Sequence, residues 1–164
     1  MTTPDQPSRS DQLRRAFARF PSGVVALAAQ VQGLDQVMVL SSFAVGVSLD
    51  PPLALCSIRH GSTTWPRLRS AARLGASVLA ADQEELCRQL AASDPAQRWT
   101  GVDRQVTPDG AILLAGSPLS FETRIRAEHP AGDHDIVVLE IDSWRADSAI
   151  EPLVFHDSGF RRLL

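Results

Sequence analysis

The sequence contains no lysine and no tyrosine, and its only cysteines are Cys56 and Cys87. Two isolated thiols, with four histidines that lack metal-ligand spacing, predict no metal site. Cys56 falls in an apolar run and Cys87 in a predicted helix, which favours buried free thiols over a disulfide. Without tyrosine, aromatic stacking on a ligand has to come from six phenylalanines and three tryptophans.

Strong charge and long apolar runs are missing as well. The net charge of −3 and the pI of about 5.8 provide no basic surface for nucleic acid. No apolar run approaches the ~20 residues of a membrane span, and the N-terminus lacks the apolar core of a signal peptide. We therefore expect a cytoplasmic protein of one domain that binds neither nucleic acid nor a membrane.

The segment from Val37 to Leu55 is the most informative part of the chain. Two apolar runs flank a polar break at Ser41 and Ser42, and a tight turn at 50–52 precedes a third apolar run. This pattern predicts three strands. Hydroxyls and backbone N–H groups between strands suit a site that faces a polar ligand.

The remaining pattern predicts a mainly β fold, a β-barrel with a few helices. About seven strands and three helices do not alternate regularly, and a G-x-G-x-x-G turn is absent, so a closed or nearly closed barrel is favoured over a doubly wound sheet. Residues 1–10 are expected to be a flexible tail and residues 11–164 the domain. We expect strands at 24–31, 73–81, 119–126, 136–141 and 153–156, turns at 33–36 and 129–135, a polar loop at 57–64, and an irregular excursion at 94–110.

Three helices are predicted from their N-terminal signals. Ser10 is expected to cap the first, with Leu13, Phe17 and Phe20 on one face. A short second helix begins near Trp65. The third covers 82–92, where Asp82 and Glu85 form a capping-box pattern.

Several polar residues are candidates for ligand binding. In the loop at 57–64, hydroxyls next to a helix start suit a phosphate, and Arg59 can add a charge-assisted bond. A solvated loop that merely caps the helix is the alternative. His134 follows Asp133, which can hold its tautomer near a reacting centre, although a simple β-turn gives the same tripeptide. Gln83 can reach a phosphate or be an exposed first-turn residue, and Phe160 can stack on a ring or close the barrel.

Six segments occur in the order of one known family. They are L-R-R-A-F-A-R-F-P-S-G-V-V, S-F-A-V-G-V-S-L-D-P-P-L-A-L, S-I-R-H-G-S-T-T-W, G-A-S-V-L-A-A-D-Q-E-E-L, A-G-D-H-D-I-V-V-L-E-I and P-L-V-F-H…F-R-R-L. Together they resemble the flavin reductase-like family, whose fold is the FMN-binding split barrel. Its members include reductase components of two-component flavin monooxygenases. The resemblance extends from Leu13 to Leu163.

The resemblance implies an NAD(P)H-dependent flavin reductase that acts as a homodimer and supplies reduced flavin to a partner monooxygenase. FMN or FAD would accept hydride from NADH or NADPH, so the protein has to bind and orient the rings rather than provide a nucleophile. His134 would approach the nicotinamide. The expected flavin-binding residues are Met38, Val39, Leu40, Ser41, Ser42, Ser57, Arg59, Ser62, Thr63, Gln83 and Phe160.

The chain departs from the family pattern at one place. Members commonly have G-M-T-A-N-S-F where this chain has V-M-V-L-S-S-F, so Val37, Val39 and Leu40 make the expected flavin wall more apolar. Two other functions therefore stay open. One is a split barrel that performs non-redox work on an apolar natural product, for example as a cyclase, and the other is a flavin-binding module without turnover.

Overall fold

The computed structural model of the protein describes residues 8–163, so most of the predicted tail lies outside the described residues. Within that range the chain forms three helices and twelve strands. The helices are α1 (Arg9–Phe17), α2 (Trp65–Leu68) and α3 (Glu84–Leu90). The strands are β1 (Ser22–Gly23), β2 (Val25–Val31), β3 (Leu34–Leu40), β4 (Ala44–Leu49), β5 (Pro52–Arg59), β6 (Leu74–Val78), β7 (Arg104–Val106), β8 (Ile112–Leu114), β9 (Leu119–Ala131), β10 (His134–Ala146), β11 (Val154–His156) and β12 (Gly159–Arg161).

A seven-stranded antiparallel sheet forms the body of the protein. Its strand order is β3-β2-β6-β9-β10-β5-β4, so β3 and β4 are the edge strands and residues 41–43 connect them. Ser42, within this connection, forms hydrogen bonds with the backbone of Ser57 in β5. Because β5 is the neighbour of the edge strand β4, this contact ties the end of β3 to the opposite side of the sheet. The mainly β prediction is confirmed, as are the three strands of the 37–55 segment.

The sheet separates two apolar cores. Alternate residues of β2, such as Leu27 and Ala28, belong to different cores, so this strand is buried on both faces. The first core also holds α2 and the inner side of β10, and the second packs α3 and β8 on the outside. Cys56 and Cys87 are buried free thiols, as predicted, and burial raises the pKa of Cys56 to about 12.

Two predicted helix starts are wrong. α1 begins at Arg9 because Ser8, not Ser10, accepts the hydrogen bond from the backbone N–H of Asp11. α3 begins at Glu84 with Gln83 as its N-cap residue, and no side chain caps it, so the Asp82–Glu85 capping box does not form. The Gln83 side chain instead accepts a hydrogen bond from the backbone N–H of Ala80, which precedes the helix.

Two predicted loops are shorter than expected because strand pairing continues through them. β5 extends to Arg59, and only residues 60–64 form the loop. The turn between β9 and β10 consists of Gly132 and Asp133 alone, since His134 pairs with Ala131. Polar residues at a solvent-exposed hairpin tip look like loop residues in the sequence, although their backbones remain in the ladder.

The irregular excursion at 94–110 is tied to the sheet rather than free. The indole N–H of Trp99 donates to the carbonyl oxygen of Asp35 at 3.0 Å, and Arg104 lies over the Trp99 ring at 4.6 Å. β7 then pairs with β8, which crosses β6 so closely that a Cβ on Gly75 would lie 1.9 Å from the carbonyl oxygen of Ile112. In residues 8–163, no helix has the length and apolar character to cross a membrane.

Candidate functional site

Strand pairing brings together two predicted site residues that are far apart in the sequence. Arg59, the last residue of β5, is the register partner of His134, the first residue of β10. The next residue, His60, donates its backbone N–H to the carbonyl oxygen of Asp133 at 3.0 Å. The loop at 60–64 and the β9–β10 turn therefore form one end of the sheet, and this end is the candidate site.

Two histidines at this end, His134 and His60, are each held by a carboxylate. Nδ1 of His134 lies 2.6 Å from Oδ1 of Asp133, and Nε2 of His60 lies 3.1 Å from Oδ1 of Asp135. The hydrogen bond and the charge of His134 lower the pKa of Asp133 below its ordinary value. Both imidazole rings are therefore oriented before a ligand arrives.

The predicted phosphate loop contains donors that suit an anion. Ser62 is used within the protein, because its hydroxyl accepts the backbone N–H of Trp65 at 3.1 Å and so starts α2. Arg59 and Thr63 are exposed, and across residues 8–163 no ion pair or hydrogen bond occupies their side chains. A guanidinium and a hydroxyl beside a short helix are donors of the kind that a flavin phosphate requires, so this donor set fits.

Ser42 and Ser57 are tied to each other. The Ser42 hydroxyl donates to the carbonyl oxygen of Ser57 at 3.0 Å and accepts its backbone N–H at 3.2 Å. Of the two serines in the polar break, Ser41 is the exposed one. Ser42 thus sets the position of the break relative to the phosphate loop, and Ser41 remains the candidate for direct contact with a ligand.

The outer edge of β3 presents backbone groups in a row. β3 pairs only with β2, and alternate residues of an antiparallel edge strand direct both N–H and C=O away from the partner. Asp35 and Val37 are such residues, since Trp99 and Arg98 bind their carbonyl oxygens. Val39 is the next one along, and no residue in the range 8–163 donates to it from outside the strand. The backbone N–H and C=O of Val39 therefore remain open to a ligand. One donor and one acceptor side by side suit the hydrogen-bonding edge of a flavin ring.

The side chains of β3 do not form an exposed apolar wall. Val37 is 1% exposed and Leu40 is 8% exposed, and each belongs to a core. Met38 and Val39 are half-buried and pack against the same cores. Little of the Leu40 side chain is open to a ligand, and the role of Leu40 in flavin binding stays a prediction. Of the departures from the family pattern, Val37 and Leu40 are buried in the cores, Val39 is half-buried and Ser41 is exposed.

Gln83 and Phe160 are not brought to this end of the sheet. The Gln83 amide accepts the backbone N–H of Ala80 at 2.9 Å and donates to the carbonyl oxygen of Ala115 at 3.0 Å. Phe160 packs edge-on against Phe155, and Arg88 covers its ring at 5.4 Å. The side chains of Gln83 and Phe160 thus make contacts within the protein. Their roles as ligand contacts stay predictions.

Two residues near the site were not predicted from the sequence. Arg98 lies in the polar excursion, and its guanidinium reaches the carbonyl oxygen of Val37 and the hydroxyl of Thr64. No local pattern distinguishes it from the other arginines of the chain. Asp135, the partner of His60, was also missed, because it was expected in a turn rather than on a strand.

Two cavities formed by the described residues 8–163 lie away from this end of the sheet. One of 630 Å³ is bordered by Ser117, Ser120 and Arg145, at the end of β10 opposite to His134, and β10 has 13 residues, about 40 Å of strand. Another, of 310 Å³, includes Gln83. In residues 8–163, no group of three or more His, Cys, Asp or Glu side chains could hold a metal ion.

Comparison with known proteins decides the family. The flavin reductase like domain model matches residues 17–164, nearly the whole chain. The chain belongs to the flavin reductase family. The resemblance found in the sequence is thereby confirmed.

A solved relative confirms the split-barrel fold of this flavin reductase family member. The Streptomyces globisporus C-1027 NADH:FAD oxidoreductase SgcE6, solved with NAD and FAD fragments, has a TM-score of 0.89 and 30% sequence identity. The match covers 99% of this chain and 98% of that one.

Three curated relatives are similar over almost the full length. The NADH-dependent flavin reductase of a Rhodococcus species is 36% identical over 92% of this chain and 85% of its own. The actinorhodin polyketide dimerase of Streptomyces coelicolor is 33% identical over the same shares. The reductase component of 4-hydroxyphenylacetate 3-monooxygenase from Thermus thermophilus is 29% identical over 94% of this chain and 97% of its own.

Proposed function

We propose that the protein is an NADH-dependent flavin reductase that uses FMN or FAD. The observation that carries this function is the pairing of Arg59 with His134, which joins the anion-binding loop to an oriented histidine. Relatives named as NADH-dependent flavin and FAD oxidoreductases support the choice of NADH over NADPH.

Each part of the site has a distinct task in this reaction. Arg59 and Thr63 hold the flavin phosphate, and the backbone of Val39 binds the edge of the ring. A flavin held in this way would supply the hydride acceptor for NADH. His134, oriented by Asp133, holds the nicotinamide nucleotide against the ring. Because the chemistry needs alignment and exclusion of water, no acid or nucleophile from the protein is required.

The test is oxidation of NADH, followed at 340 nm with FMN and with FAD. We expect turnover well above the uncatalysed rate, and Arg59→Gln should raise the KM for flavin about tenfold, as expected for one lost charge-assisted bond. Arg145→Gln is the control, since Arg145 is exposed at the far end of β10. A wild-type rate equal to the uncatalysed rate with both flavins would exclude the function.

The product leaves the site as reduced flavin and serves a flavin-dependent monooxygenase. The support for this partner is the Thermus thermophilus relative, which is named as the reductase component of such a system. A cytoplasmic location fits the same function, because a reducing compartment preserves Cys56 and Cys87 as thiols.

The protein acts as a homodimer in this proposal. α1 has no buried residue although Leu13 and Phe17 are large and apolar, and Phe20, just beyond the helix, is exposed as well. All but one residue of β4 are exposed. Apolar residues in this number on two segments are typical of surfaces that a second protein chain covers. A second copy of the chain is the occupant expected for this family resemblance.

Non-redox work on an apolar natural product has one support, the name of the Streptomyces coelicolor relative. The sequence feature that favoured this function is the apolar wall expected from Val37, Val39 and Leu40. Since Val37 and Leu40 lie in the cores, this wall does not face a ligand. The reductase assay separates the two functions, because a protein of the second kind would not oxidise NADH with either flavin.

A further inference from the structure

The guanidinium of Arg98 joins three segments of the chain. Nε donates to the carbonyl oxygen of Ala92, just beyond α3, at 2.7 Å. Nη1 donates to the carbonyl oxygen of Val37 on β3 at 3.2 Å and to the hydroxyl of Thr64 at 3.4 Å. The side chain is partly buried, so these bonds are shielded from bulk water.

These contacts place Arg98 between the two halves of the candidate site. Val37 is the residue before Val39 in the outward-facing row of β3, and the two are about 7 Å apart along the strand. Thr64 follows Thr63 of the phosphate loop and starts α2, whose Leu68 donates its backbone N–H to the carbonyl oxygen of Thr64. One guanidinium therefore contacts both the edge strand β3, next to the expected ring-binding residue Val39, and the residue that follows Thr63.

We propose that Arg98 is a positioning residue that sets the distance between the flavin ring edge on β3 and the phosphate loop at 60–64. The proposal rests on the proposed function. A flavin nucleotide carries its ring and its phosphate on one covalent frame, so both subsites have to lie at the right separation to bind it together. A planar guanidinium with several donors fixes such a separation, which a single ammonium group does not.

Arg104 provides a matched comparison within the same excursion. Its guanidinium donates to the carboxylate of Asp35 at 2.7 and 2.8 Å and to the carbonyl oxygen of Val102 at 3.0 Å, and it lies over the Trp99 ring. Arg104 thus holds the same excursion to the same strand. It does so at Asp35, four residues before Val39, and touches nothing in the phosphate loop.

The experiment compares Arg98→Met with Arg104→Met. Flavin affinity is measured by fluorescence titration, KM for NADH and kcat by steady-state kinetics, and stability by thermal melting. Arg98→Met is expected to weaken flavin binding about tenfold while the KM for NADH stays within twofold, because flavin would then have to order two subsites that Arg98 holds in place in the wild type. Arg104→Met is expected to lower the melting temperature at least as much and to leave flavin affinity within twofold.

A second variant and a second readout keep the test independent of folding and of turnover. Thr64→Val keeps Arg98 and removes one acceptor, so it should weaken flavin binding in the same direction by a smaller factor. Hydrogen exchange of the amides of Trp65 and Leu68 reports the position of the loop directly. Exchange should become faster in Arg98→Met and in Thr64→Val and stay unchanged in Arg104→Met.

The outcomes separate this proposal from the proposed function. If the wild-type protein neither binds flavin nor oxidises NADH, the proposed function is excluded. Faster exchange confined to Arg98→Met and Thr64→Val would then still support the role of Arg98 in positioning the loop. Equal loss of flavin affinity in Arg98→Met and Arg104→Met overturns the proposal. A variant Arg98→Met that melts earlier with unchanged flavin affinity and unchanged exchange at Trp65 and Leu68 overturns it as well.

Discussion

Hydroxyl groups near the candidate site divide into those that the fold uses and those that are left for a ligand. Ser42 binds both backbone groups of Ser57, and Ser62 accepts the N–H of Trp65. Ser41 and Thr63 are exposed. A sequence shows all four as equivalent polar residues in loops, because the backbone groups that engage two of them come from other segments or from the geometry of a turn.

Ser42→Ala should lower the free energy of unfolding by about 1–2 kcal/mol. The change leaves the backbone of Ser57 without its partner in a partly buried place, and a lost neutral hydrogen bond costs about that much. Ser41→Ala, at the exposed neighbour, should change it by less than about 0.5 kcal/mol. Urea unfolding measures both variants, and equal stabilities would contradict the structural role of Ser42.

The pKa of the Asp133 carboxyl group should lie below its ordinary value, with His134 as the largest cause. The hydrogen bond and charge of His134 lower this pKa, which means that the folded state favours the ionised carboxylate. The resulting stabilisation is present above the ordinary pKa of 3.8 and is lost as the pH falls through the lowered value.

A carbon-detected NMR titration of Asp133 checks this effect. In His134→Gln the pKa of Asp133 should rise toward its ordinary value. In His60→Gln it should not move, because His60 bonds to the Asp135 side chain instead. An unchanged Asp133 pKa in His134→Gln would show that the short contact between the two side chains is not maintained in solution.

At the level of elements, apolar periodicity predicted most strands. It failed where strand pairing continues through polar residues, and where one of several polar side chains becomes the helix N-cap. The three strands of 37–55 and the strand at 73–81 follow from their runs of apolar residues. The turn at 129–135 was too long because polar side chains at a hairpin tip do not reveal a continuing ladder. The pairing of Arg59 with His134 was not predictable by spacing, since it depends on the register of two distant strands.

The crossing of β8 over β6 depends on Gly75. A Cβ at this position would lie 1.9 Å from the carbonyl oxygen and 2.6 Å from the carbonyl carbon of Ile112, both of which are backbone atoms. Gly75→Ala should therefore destabilise the protein by about 3 kcal/mol or more, at the upper end for overpacking. Gly23→Ala is the control, since nothing lies within 4 Å of its Cβ, and it should stay within about 0.5 kcal/mol. Thermal melting distinguishes the two.

For the whole molecule, the single chain leaves apolar surface that its own fold does not cover. Phe17 is 67% exposed on α1 and Leu49 is 89% exposed on β4, although the two cores of the same chain are fully closed. β4 is an edge strand with backbone groups open on one side, a feature that proteins usually protect. A second chain that covers α1 and β4 would bury this apolar surface and protect the open edge of β4. Without such a chain, the protein would be prone to aggregation.

Phe17→Glu and Val45→Glu should each convert the proposed dimer to a monomer. A carboxylate placed without a partner in an apolar interface costs several kcal/mol, about a thousandfold or more in dimer affinity, whereas at the surface of a monomer it costs little. Leu34→Glu is the matched control, because Leu34 is 66% exposed at the start of β3, near the β2–β3 turn. Light scattering coupled to size-exclusion chromatography at micromolar protein measures the mass. The dimer proposal fails if the wild-type protein has the mass of one chain, and the assigned surface fails if all three variants have the mass of two.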